Sequence, residues 1–97
     1  MAEKYVTIVG MSYYYGIEVF EVGQILKLKK DYENKFDEDA IAVYLNRTMK
    51  VGYVANSVTT VARGTKSASR LYDQIKNKAK VEVKFVVRGC VIAKIVD

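Results

Sequence analysis

The chain has no histidine, no proline and no tryptophan, and its only cysteine is Cys90. Without histidine and with a single thiol, zinc sites built from Cys and His are excluded, as is a disulfide framework within the chain. Histidine-assisted nucleophilic triads go with them, so the chain is expected not to be an enzyme. Cys90, in Val86-Val87-Arg88-Gly89-Cys90-Val91-Ile92, is expected as a small buried hydrophobe. No apolar run approaches the roughly 18 residues of a membrane span. The opening residues include Glu3, an acid where a signal peptide carries only bases, so an intracellular, cytoplasmic protein is expected.

What is present fits one globular domain over residues 1–97, half of them apolar and with an ordinary share of charge. The charge is unevenly placed. Residues 1–46 carry five Lys against eight Asp or Glu, a net of −3, whereas residues 47–97 carry eleven Lys or Arg against three acids, a net of +8. A basic half is compatible with a polyanionic partner, and equally with lysines on the outer face of strands.

Alternation of period two marks the strands. Tyr5-Val6-Thr7-Ile8-Val9 places Val6 and Ile8 on one face, and Gly10 breaks it before Met11-Ser12-Tyr13-Tyr14-Tyr15-Gly16. Three consecutive tyrosines cannot share one core, because successive strand side chains alternate, so at least one is exposed. Residues 17–22 read as a short strand or loop. In residues 24–30, Leu26 and Leu28 face inward with Lys27 and Lys29 outward; in 40–45, Ile41, Val43 and Leu45 share a face. Asn46–Lys50 reads as a hairpin turn and Val51–Val54 as another strand.

A helix is expected from Asn56 or Ser57 to Gly64, with Val58, Val61 and Ala62 on one side; a second starts near Ser67 and presents Leu71 and Ile75. The final strands, 81–87 and 91–96, are expected to turn Val81, Val83, Phe85 and Val87 inward. The expected fold is mainly β: a small closed or partly open β-barrel with one or two short helices before the last two strands. A closed barrel also removes the free edges that a chain without proline has few means to protect.

Five of the eleven carboxylates fall within nine residues, at Asp31, Glu33, Asp37, Glu38 and Asp39. As a calcium loop of the helix–loop–helix type the segment fails, since Phe36 stands where the sixth-position glycine belongs. No metal and no cofactor is expected. Arg63-Gly64-Thr65-Lys66-Ser67 lacks the glycine spacing of a nucleotide phosphate loop. A solvated acidic turn explains the charges without explaining the aromatics around them. Tyr13, Tyr14, Tyr32, Phe36 and Tyr53 fall in turns or near strand ends, close in sequence to Lys30, Lys35 and Lys50. Rings that stack on bases and cations that follow phosphates are the ingredients of a single-stranded nucleic-acid site.

Four segments in order, Val9-Gly10-Met11-Ser12-Tyr13-Tyr14-Tyr15-Gly16, Gly23-Gln24 with Leu26 and Leu28, Asn34-Lys35-Phe36-Asp37-Glu38-Asp39-Ala40-Ile41-Ala42-Val43, and Val51-Gly52-Tyr53-Val54, resemble the HIRAN domain. The chain is similar to the stand-alone members of bacteria and phages. The resemblance implies a modified OB-type barrel, close to SH3-like barrels in build, that captures the 3′ end of single-stranded DNA. It implies that Tyr13 and Phe36 stack on terminal bases, that Asp37 accepts a hydrogen bond from the 3′-hydroxyl, that Tyr14 and Asn34 touch the terminal nucleotides, and that Tyr53 walls the pocket. Lys30 is the candidate cation. Three positions depart from the resemblance: Ser12 replaces a basic residue used by the DNA-binding members, Phe36 lacks the hydroxyl of the usual tyrosine, and Asn56 stands where a phosphate-contacting lysine can occur; Tyr32 and Lys35 replace loop prolines. The expected role is in DNA repair, replication or a phage-related process, with DNA ends and possible repair or helicase proteins as partners. The alternative is a small-barrel module that binds peptides.

Overall fold

A computed structural model describes residues 3–57 and 60–96. Six antiparallel strands close into a barrel: β1 (Tyr5–Val9), β2 (Ile25–Lys30), β3 (Ile41–Tyr44), β4 (Lys50–Val54), β5 (Lys78–Val87) and β6 (Cys90–Ile95). Around the barrel the order is β1-β4-β3-β2-β5-β6, with β6 returning to β1. Among the described residues one α-helix, α1 (Ala68–Tyr72), lies between β4 and β5. The small-barrel expectation therefore holds. Among the described residues, no helix is long and apolar enough to cross a membrane.

The core follows the alternation. Leu26 and Leu28 of β2 are buried between exposed Lys27 and Lys29, and Val6, Ile8, Ile41, Val43, Val51, Val81, Val83, Val91 and Leu71 join them inside. Thr7 departs from the pattern: it points away from Val6 and Ile8 yet is fully buried. The segment at 60–66 crosses its outer face, so that Thr7 Oγ1 meets Thr65 Oγ1 at 2.8 Å and accepts the Ala62 amide at 3.1 Å. The Lys66 amide donates to the Tyr5 carbonyl at 2.8 Å, fixing the crossing.

Gly52 explains why β4 can lie where it does. A Cβ at this position would sit 2.7 Å from the Val9 carbonyl oxygen and 3.1 Å from an Ile8 methyl. Any side chain would therefore push β4 away from β1 and displace Tyr53, the residue that follows. The glycine in Val-Gly-Tyr is a close-approach requirement.

Three expectations are corrected. The helix proposed for residues 56–64 is absent from its described part: the Thr60 and Val61 amides both donate to the Ser57 carbonyl at 2.9 Å, giving a turn, and Val58 lies outside the described residues. β-branched Val and Thr in that run are poor helix formers, and the crossing over Thr7 takes their place. The second helix does form, with the Ser67 hydroxyl accepting the Arg70 amide at 3.3 Å as its N-cap. Residues 17–19, in the stretch read as a short strand or loop, make one turn of 3-10 helix.

The second correction concerns β5, and the third Cys90. Val81 and Val83 are inward, but a register shift between Val83 and Phe85 reverses the alternation, leaving Phe85 and Val87 exposed. β2 pairs with β5 only up to Glu82, so beyond the bulge β5 is paired with β6 alone among the described residues, while Val91 and Ile92 of β6 still pair with β1. Cys90, at the tip, is half-buried where full burial was expected.

Candidate functional site

The loop between β2 and β3, residues 31–40, is short of hydrophobic anchors and is fixed by polar ones. The Asp31 amide donates to the Ala40 carbonyl at 2.9 Å and closes the mouth of the loop. Inside it, Asn34 Oδ1 accepts the amides of Phe36 and Asp37, both at 2.9 Å. This is the side-chain mimic of a backbone turn that Asn makes readily. It supplies the stiffness that the absent prolines do not.

Asp37 is oriented from two directions. Its Oδ1 accepts the Asp39 amide at 2.9 Å and its Oδ2 accepts Asn56 Nδ2 at 3.0 Å. Asn56 Oδ1 in turn accepts the Ser69 amide at 2.8 Å, and the Ser69 hydroxyl donates to Asp39 Oδ2 at 2.9 Å. The circuit Asp37–Asn56–Ser69–Asp39 ties the loop to the exit of β4 and to α1. A carboxylate offers about four lone-pair sites, of which two on Asp37 are used here. The rest are available to a hydroxyl donor.

Two of the rings stand almost fully exposed. Phe36 is 98% exposed although its own amide is pinned, so its ring stands clear of the loop on a fixed backbone. Tyr13 is 86% exposed at the end of a single 3-10 turn, Met11–Tyr13, that is anchored by buried Met11. Gly10, at φ 78°, makes the left-handed entry that lets β1 break into this turn. Tyr14 and Tyr15 are exposed as well, so all three consecutive tyrosines reach solvent.

One flank is a polar wall. Tyr53, opposite Val9 on β1 and Ala42 on β3, donates its phenol proton to Asp31 Oδ2 at 2.6 Å. Lys50 Nζ donates to the Tyr53 oxygen at 2.9 Å and lies 3.9 Å from Asp31 Oδ2. It also sits 4.9 Å from the Tyr53 ring centre and 5.8 Å from that of Tyr14, whose ring is tilted 42° to Tyr53 at 6.3 Å. Burial, then the bond to Asp31, push the Tyr53 phenol above its ordinary value. The bond to Tyr53 likewise raises the Lys50 ammonium, against a smaller opposing effect of burial. Both groups keep their protons at neutral pH.

The other flank is built differently. Lys30 Nζ lies over the Tyr72 ring, 4.2 Å from its centre, and the Tyr32 hydroxyl donates to Asn77 Oδ1. The structure thus brings Asn34, Phe36 and Asp37 together in the loop and Tyr14 and Tyr53 together in one wall. Lys30 belongs to neither group, being held on the α1 side.

Several contributors escaped the sequence reading. Asp31 and Asp39, expected as solvent-face residues, are half-buried and bonded, while Glu33 and Glu38 are exposed as expected. Asn56, read as a helix cap, is the bridge between loop and helix. Lys50, expected with Lys30 and Lys35 as a cation near the aromatics, completes the wall; its spacing of three from Tyr53, on a strand, gave no cue that the two side chains meet. Among the described residues, no cluster of three or more His, Cys, Asp or Glu is arranged to hold a metal ion.

The crystal structure of a protein from Lactobacillus plantarum, a structural-genomics target, is similar to this fold, with a TM-score of 0.65 at 22% sequence identity over 95% of this chain and 88% of that one. No curated protein matches the sequence. The family model of the HIRAN domain matches residues 2–88, and the chain belongs to that family of DNA-binding domains.

Proposed function

We propose that the acidic loop captures the 3′-hydroxyl end of single-stranded DNA, without catalysing a reaction. The observation that carries this reading is the placement of Asp37: a carboxylate held by the Asp39 amide and Asn56, with acceptor capacity left, on a backbone that Asn34 pins in a turn. Next to it stands Phe36 with almost its whole ring free. A carboxylate accepts a proton from a hydroxyl and repels a phosphate, so a single fixed Asp discriminates a free 3′ end from a phosphorylated or internal position. Phe36 and Tyr13 supply platforms for the terminal bases, while Asn34 and Tyr14 line the approach. Tyr53, anchored by Asp31 and Lys50, gives the pocket a side that does not yield.

In this reading the domain delivers or protects DNA ends in repair, replication or phage-related processes, alone or alongside helicase-type proteins. The test uses labelled oligonucleotides and fluorescence anisotropy on two variants. Asp37→Ala abolishes the preference for a 3′-hydroxyl over a 3′-phosphate, whereas Tyr13→Ala weakens binding of both alike. Unchanged titrations for both variants would overturn the assignment of the site.

A further inference from the structure

Away from the acidic loop the molecule has a depression of about 650 Å³ between the start of β1 and the segment leading into α1. Lys4, Arg63, Lys66 and Arg70 line it, with Glu3 the one acid on its rim among the described residues. Glu3 is engaged elsewhere: its carboxylate lies 2.9 Å from Lys94 Nζ and accepts the Tyr5 hydroxyl at 3.0 Å. Among the described residues, no carboxylate is within ion-pair distance of Lys4, Arg63, Lys66 or Arg70. Four cations thus line one hollow, and none of them has an ion-pair partner among the described residues. Like charges gathered at a concave surface repel one another and focus a positive field into it, which favours an anionic occupant.

The Thr65 hydroxyl donates its proton to the Ala62 carbonyl at 2.7 Å, while the Ser67 hydroxyl accepts the Arg70 amide at 3.3 Å and keeps its own proton for an anionic occupant. The rest is charge on long side chains, two of them guanidinia suited to phosphate oxygens. The position of the hollow says which phosphate. Asn56 is part of its lining and is also the residue that donates to Asp37. One side chain therefore separates the carboxylate of the end-binding loop from the cationic surface.

We propose that this hollow carries the phosphodiester backbone of the strand whose 3′ end is held at Asp37. The inference rests on the end-capture reading and gives it a direction: the hydroxyl terminus meets the carboxylate, and the phosphates that precede it pass Asn56 and run onto Arg63, Lys66 and Arg70. Carboxylate and cations then act as opposite poles of one track. A strand lying the other way puts a phosphate against Asp37 and leaves the cations unmatched.

The experiment is an anisotropy titration of 3′-hydroxyl and 3′-phosphate ten-nucleotide single strands across a range of salt concentrations. It compares the wild type with the triple variant Arg63→Gln, Lys66→Gln, Arg70→Gln. For a single strand, each phosphate that is no longer neutralised lowers the slope of log K against log salt by about 0.7, so the variant is expected to lose roughly two from the slope. Its ratio of affinities for the two ends stays that of the wild type. A companion, Arg63→Lys with Arg70→Lys, keeps the charge and is expected to keep the slope; loss of slope there would contradict a phosphate track in favour of lost structure. If the wild type prefers the 3′-hydroxyl and the triple variant shows an unchanged slope, the track is wrong and the end-capture reading stands. If the slope falls but neither protein distinguishes the two ends, end capture is wrong and the hollow binds phosphates on its own. Absence of binding to either oligonucleotide overturns both.

Discussion

Two exposed phenylalanines sit on this barrel in opposite circumstances. Phe36 projects from the loop between β2 and β3, and Phe85 from the hairpin between β5 and β6. Around Phe36 the backbone is cross-linked by Asn34, Asp37 and Asp39, and through Asn56 to α1. Around Phe85 there are Val86, Val87 and a two-residue turn, Arg88-Gly89, held by pairing with β6, with the Lys84–Glu82 pair at 3.2 Å as the nearby side-chain bond. An exposed ring is common enough on a small domain. What sets the acidic loop apart is that polar groups with fixed directions converge beside the ring.

The first way to break this comparison is to remove each ring. Phe36→Ala is expected to lose about 1–3 kcal/mol of single-stranded DNA binding, roughly five- to 150-fold in affinity, on the usual worth of a stacked base. Phe85→Ala is expected to leave the same titration within twofold. Equal losses would mean that exposure alone, and not convergence, marks the binding surface.

A smaller effect follows from cutting the bridge. Asn56→Ala removes the donor to Asp37 Oδ2 and the acceptor of the Ser69 amide. Chemical denaturation is expected to show a loss of about 0.5–1.5 kcal/mol per hydrogen bond. The preference for a 3′-hydroxyl falls as well, since Asp37 is left with the Asp39 amide as its one remaining partner of the two. A variant as stable and as selective as the wild type would show that the circuit does not orient the carboxylate.

The smallest effect is confined to alkaline pH. Tyr53 and Lys50 both hold their protons more tightly in the folded wall than their ordinary values allow. Groups raised on folding stabilise fully below their unfolded pKa, near 10 for tyrosine and 10.4 for lysine, and lose that contribution as pH climbs through the folded value. Stability is therefore expected to be flat in this respect through neutral pH and to fall above about pH 10. Tyr53→Phe should soften that fall and remove one late-ionising phenol from an ultraviolet titration. An unchanged titration would place the late ionisations on other tyrosines, of which Tyr72 and Tyr5 are also raised.

Much of the barrel was legible because burial of one strand face imposes a period of two, and the Leu-Lys alternation of β2 records it directly. The fate of Phe85 was hidden because a bulge inserts one residue without any sequence mark and reverses the faces beyond it. The residues of the acidic loop were legible as a cluster, and their resemblance to the HIRAN motif located them. Their partners were less so. Asn56 and Ser69 are 19 and 30 residues from the side chains they bind, and pairings of that range come from the closure of the barrel. Asn also favours caps and turns, which made the helix-cap reading of Asn56 natural and wrong.

The central claim is that a fixed carboxylate at Asp37 selects a free hydroxyl end. It is met most directly by titrating the wild-type protein against two oligonucleotides of one sequence, one ending in a 3′-hydroxyl and the other in a 3′-phosphate. A hydrogen bond to a charged acceptor is worth about 1.5–3 kcal/mol, so the hydroxyl end is expected to bind at least tenfold more tightly. Equal affinity for the two ends would contradict it.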